Sequence, residues 1–165
     1  MTDATPRFNM PLLASGQAQK EVTHNEALSL VDVLTSAVVE SMLSTPPTDP
    51  NAGQGWIIGA APTGSWSGRE GSLAFWTEGG WRFVVPPEGM RVWMRIAGFE
   101  ARRAATQWEL GIVSANEMRL EGVKVVGPQL PAIADPATGA VVDAEARAVI
   151  GSILERMRSH GLIAA

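Results

Sequence analysis

Imidazole chemistry has two candidates in this sequence, His24 and His160. His24 lies in the run QAQKEVTHNEAL, with Glu21 and Glu26 close by. An imidazole and a carboxylate could give a divalent cation two ligands. A third would have to come from elsewhere, and there is no cysteine to supply a thiolate. The expectation is therefore a polar helix face, with no metal and no cofactor. Paired acids are the other route to catalysis, because two carboxyl groups at the correct separation suffice to hydrolyse a glycosidic bond. Asp49, Glu70, Glu78, Glu88, Glu100 and Glu109 are spread through turn-like and strand-like segments. Their spacing in sequence defines no pair. Phosphate-binding, dinucleotide-binding and nucleophile-elbow patterns are absent from the sequence. No catalytic residues are expected, and the chain is not expected to be an enzyme.

Binding chemistry is better represented. The stretch FWTEGGWRFVVPPEGMRVWM, residues 75–94, crowds aromatic side chains around two glycine-containing turns. An indole offers a flat face to sugar C–H groups and a donor N–H. It is also an efficient way for a small β-module to bury apolar area. Most of the six tryptophans are expected in a core, with Trp76 and Trp81 pairing across a hairpin turn and Trp81 central to stability. Trp66, in TGSWSGREG, is flanked by small polar residues and is expected to be exposed. Trp66 with Arg69 is the expected ligand-contact pair.

These residues need elements to position them. With 165 residues and 45 % apolar composition, the chain can form a core. Pro6 and Pro11 predict an extended arm over 1–14. A helix is predicted over 15–43, capped by Ser15, with Leu28, Val31, Leu34, Val38 and Met42 forming an apolar stripe. STPPTDPNAGQG (44–55) breaks it. GWIIGA, SLAFWT, WRFVV, RVWMRIA and TQWEL then read as short strands, and FWTEGGWRF as a hairpin. A last helix begins at the cap Asp143, with Ala146, Ile150, Ile153 and Met157 at 4-3-4 spacing. The fold class is α+β: a long N-terminal helix, a small Trp/Gly-rich antiparallel β-module, and a C-terminal helix. The divisions are 1–54, 55–127 and 128–165.

The formal charge of −4, two lysines and dispersed arginines argue against nucleic acid. No apolar run is long enough for a membrane span, and the start lacks the apolar segment of a secretory signal. A two-heptad helix is marginal alone, so its seam must bury itself against its own β-module or against a ring or bundle of identical helices. The polar helix start, Gln17, Gln19, Lys20, His24 and Asn25, suits a wet interface. Together they point to a homo-oligomer, trimer or pentamer.

The stretches NMPLLASGQAQKEVTHNEAL, GSWSGREGSLAFWTEGGWRFVVPPEGMRVW and VVGPQLPAIADPATGAVVDAEARAVIGSILERMRSHGLI together resemble a family of domains in tailed phages and alphaproteobacterial gene transfer agents. That resemblance implies a structural protein of the virion or virus-like particle surface, assembled in the bacterial cytoplasm. Its implied place is in a head spike or fibre, with capsid or tail proteins and a fibre protein as partners and host polysaccharide as target. The chain has no long repetitive shaft, which favours the base or adaptor of such a spike. A carbohydrate-binding module contacting capsular polysaccharide directly is the alternative.

Overall fold

The computed structural model describes residues 4–14, 16, 20–135 and 143–164. It is α+β, with two helices and small sheets of mainly antiparallel strands. The chain divides into two units, Met1–Ile112 and Val113–Ala165. The Pro-rich segment 44–55 thus lies within the first unit, and the last strand pair of the expected β-module lies in the second.

In the first unit, helix α1 spans Lys20–Thr35, sixteen residues, and not the long element read from the apolar spacing. Beyond it, Val38–Val39 (β1) and Met42–Leu43 (β2) are strands in two different sheets. The stripe that suggested a longer helix ends here because Val39 and Met42 pack more effectively in the core as extended chain. β-branched residues accept that exchange readily. Val31, assigned to the stripe, is half exposed; the helix buries Val33 and Asp32 instead.

One sheet runs β2-β3-β4-β5, with β3 at Gly55–Ile58, β4 at Leu73–Thr77 and β5 at Gly80–Val84. The other runs β1-β6-β7-β8, with β6 at Arg91–Met94, β7 at Phe99–Arg103 and β8 at Trp108–Leu110. The two short strands β1 and β2 join their sheets in parallel; the other pairings between strands among the described residues are antiparallel. Inner faces of both sheets meet α1 in one core of Val33, Val39, Ile57, Leu73, Phe75, Val92, Met94, Ala101 and Trp108. The Trp108 indole N–H donates to the Gly71 carbonyl at 2.8 Å, so this aromatic is buried with its polar atom satisfied. The expected hairpin is present: Trp76 faces Trp81 across β4 and β5, and Thr77 pairs with Gly80 around Glu78–Gly79.

Gly55 shows how closely that core is filled. A Cβ there would overlap Cδ1 and Cε1 of the Phe75 ring. Gly55→Ala is expected to cost about 1–3 kcal/mol through overpacking, read as a lowered denaturant midpoint at unchanged slope. An unchanged midpoint would mean that Phe75 can swing aside.

The second unit holds β9 (Met118–Leu120) paired with β10 (Val123–Val126), and helix α2 (Ala144–Ser159). Asp143 caps α2 as expected, accepting from the Ala146 N–H at 2.9 Å, and Glu145 sits in the first turn. Leu130 bridges to Ile163 beyond the helix.

Candidate functional site

Trp66 is fully buried, which corrects its assignment as an exposed contact residue. The loop from Gly59 to Gly71 folds over the outer face of the β2-β5 sheet. It carries a short 3-10 turn, Gly64–Trp66, closed by Trp66 N–H to Thr63 C=O. That turn drops the indole into a second core with Trp56, Ile58 and Ala74, flanked by Trp76, Trp81 and Phe83. Ring centroids of Trp66 lie 5.1 Å from Trp81 and 6.4 Å from Trp56, and Trp76 and Trp81 meet edge-on at 5.0 Å. Edge-to-face packing of this kind adds to area burial. Small polar neighbours made Trp66 look solvated, but they are what lets the turn be tight enough to fold it inward. Arg69 is exposed, and its guanidinium lies 4.0 Å from the Phe83 ring centroid, a cation–π contact that covers the cluster's rim. Trp66 and Arg69 therefore close a packed aromatic layer, and do not open a binding face.

The N-terminal arm is also more than an extended strap. Residues 4–11 curl back on themselves, with Thr5 N–H bonded to Met10 C=O and an Ala4–Pro11 bridge. The turn closes on the buried carboxylate of Asp32. Its Oδ1 accepts from Thr5 Oγ1 at 2.6 Å and Phe8 N–H at 2.8 Å, and its Oδ2 from Arg7 N–H at 3.0 Å. Arg7 then uses all five guanidinium donors on backbone carbonyls. Nε and Nη2 reach Gly53, Nη1 reaches Val33 and Ser36, and Nη2 reaches Val38, all between 2.7 and 3.1 Å. The guanidinium thereby satisfies carbonyls at the C-terminal end of α1, where a positive charge also complements the helix dipole. Burial pushes its pKa below the ordinary arginine value, and the Asp32 carboxylate opposes that shift. None of this was legible in the sequence, where Arg7 and Asp32 are distant and carry no motif.

A groove of about 870 Å³ runs between this arm, α1 and the β4–β5 turn, lined in part by Leu13, Val22, Asn25, Glu26, Trp76 and Arg82. Several of its polar groups are engaged within the chain. The Asn25 amide exchanges both hydrogen bonds with the Leu13 backbone, and Glu26 pairs with Arg82 at 2.8 Å. The groove is a seam holding arm to sheet. Among the described residues no group of three or more His, Cys, Asp and Glu side chains could hold a metal ion. No helix among them is long and apolar enough to cross a membrane.

Of the expected interface residues, Gln17 and Gln19 lie outside the described residues, as does the expected cap Ser15. Lys20 and His24 are exposed on α1, whereas Asn25 is committed to the arm. On α2, Ala146, Ile150 and Ile153 are exposed and Met157 is half-buried; the residue this helix buries is Leu154, one position beyond Ile153.

A family model matches residues 24–109, which span most of α1 and both sheets of the first unit. The chain belongs to the DUF2793 family. That family is described as a protein of unknown function. A search of the curated proteins finds no match. In this DUF2793 protein the matched segment contains Asp32, Gly53 and the whole tryptophan layer, but not Arg7.

Proposed function

We propose that this DUF2793 protein is a non-enzymatic structural component of a phage-like particle, the base or adaptor of a head spike or fibre, working as a homo-oligomer. The observation that carries the assembly part of this reading is the composition of the second unit's surface. Among its described residues only Leu154 and Ile163 are buried hydrophobics. Met118, Leu120, Val123, Val125 and Val126 of the strand pair are all exposed, as are Val149, Ile150 and Ile153 on α2. A two-stranded pair without a covered face is marginal in water, and a helix of this length takes most of its stability from packing. Such an apolar surface calls for a covering partner, and the partner proposed here is a second copy of the chain. Closed symmetry lets copies of one sequence cover each other, which supports a trimer or pentamer. The particle setting rests on the resemblance of the sequence to phage and gene-transfer-agent proteins; capsid or tail proteins and a fibre protein are its proposed partners.

The purified chain is expected to elute as a trimer or larger by light scattering, and Ile150→Asp with Ile153→Asp to shift it to monomer while the first unit stays folded. Particles from a strain carrying the double variant should hold less of this chain. A chain absent from purified particles would sink the particle reading, and a wild-type monomer at every soluble concentration would sink the homo-oligomer.

A further inference from the structure

With Trp66 buried, one tryptophan remains substantially exposed: Trp93, at 48 %. Its position is unusual for a large aromatic. β6 alternates exposed and buried residues, with Val92 and Met94 in the core, so Arg91 and Trp93 stand on the opposite face of the sheet. The same alternation places Val38 of β1, Glu100 and Arg102 of β7 and Glu109 of β8 on that outer face, since Val39, Ala101 and Trp108 point into the core. The strand register sets Trp93 between Val38 and Glu100, and Arg102 between Arg91 and Glu109. Trp93 is thus one flat ring on an interior strand, on a face otherwise set with charges.

Those charges are paired with one another. Arg91 Nη1 meets Glu100 Oε2 at 3.0 Å, and Arg102 meets Glu109 Oε2 through Nη2 at 2.6 Å and Nε at 3.2 Å. Two arginines and two glutamates sum to zero. A polyanion such as nucleic acid gains nothing from a neutral face. A protein interface centred on Trp93 would want surrounding apolar area, and the neighbour across from it on the β1 side is a single valine. A neutral sugar fits what is present. The indole face accepts the C–H side of a pyranose ring, and the fixed pairs offer both donors and acceptors to ring hydroxyls.

We propose that the outer face of the β1-β6-β7-β8 sheet, centred on Trp93 with Arg91, Glu100, Arg102 and Glu109 around it, is a binding site for neutral hexose oligosaccharides. The proposal stands independently of the particle reading and of oligomer number.

The test uses the full chain and a panel of neutral hexaoses (β-glucan, α-glucan, mannan and galactan), with hexauronates and a heparin hexasaccharide as charged controls. Saturation-transfer NMR and calorimetry read the binding. At least one neutral hexaose is expected to bind saturably, with contacts to indole protons. Trp93→Ala should weaken it by about tenfold or more. Trp93→Phe should retain part of the affinity, and Glu109→Gln should weaken binding. Because Trp93 lies outside the core, Trp93→Ala should melt close to wild type, and its unchanged circular dichroism guards against misfolding. Failure of every neutral hexaose to bind would overturn the proposal, as would equal binding by Trp93→Ala. Preference for the charged controls would overturn it too, and so would a loss of self-association by Trp93→Ala in a chain that binds no sugar.

Discussion

Trp66→Ala is expected to destabilise the chain by about 3–5 kcal/mol, the range for removing a large aromatic from a packed core. For a unit of this size that lowers the melting temperature by roughly 10–20 °C. The physical reason is the position of the indole: it touches Trp56 and Trp81 and is fully buried against Ile58 and Ala74. Alanine would leave a cavity walled by rigid rings that cannot collapse inward. One further measurement separates packing from polarity. The Trp66 indole N–H is buried and finds no acceptor among the described residues. An unsatisfied donor costs stability, so Trp66→Phe removes that penalty while keeping most of the apolar surface. It should therefore lose far less than Trp66→Ala. If thermal melts give Trp66→Ala the wild-type midpoint, the loop does not pack on the sheet and the second core does not exist in solution.

Arg7→Met is expected to lose about 3 kcal/mol or more, from the loss of charge-assisted hydrogen bonds and the carbonyls left bare at the end of α1. Arg7→Lys should be nearly as damaging. An ammonium has three donors on a flexible stem and cannot reach four carbonyls arranged around a planar fork. Asp32→Asn tests the other half of the latch. Three donors converge on the carboxylate, and an amide must turn its own N–H₂ toward one of them. The two sites share the segment Thr5–Phe8, so the double variant should cost less than the sum of the singles in a double-mutant cycle. Hydrogen exchange at the Thr5, Phe8 and Met10 amides should rise in both singles. Strict additivity, with exchange unchanged, would show that arm and helix are held by something other than this network.

Local signals were sufficient wherever the determining contacts are near in sequence. The β4–β5 hairpin follows from alternating aromatic and β-branched residues on either side of Glu78–Gly79, and its closing pair, Thr77 with Gly80, is joined by those two turn residues alone. The cap of α2 follows from Asp143 and Glu145, because a helix start is an interaction over three residues. The absence of cysteine excludes disulfides whatever the fold. The α+β class and the mainly buried fate of the tryptophans also came from composition and the segregation of helical and strand patterns.

Tertiary contacts decided the rest. The apolar spacing through Val38 and Met42 is compatible with helix, and only the two sheets, which α1 cannot announce, make extended chain the better arrangement, with Val39 and Met42 packed on the core and Val38 turned to the outer face. Trp66 sits among residues that prefer turns, and whether a turn points its one large side chain outward or inward depends on a hydrophobic surface elsewhere, here the outer face of β3, β4 and β5. Arg7 and Asp32 look like surface charges until the chain returns to place a carboxylate beneath three amide and hydroxyl donors and four carbonyls around one guanidinium. The face of Trp93 was hidden for the same reason. Exposure of a strand residue is set by which side of the sheet the core occupies, and that side is fixed by contacts between strands distant in sequence.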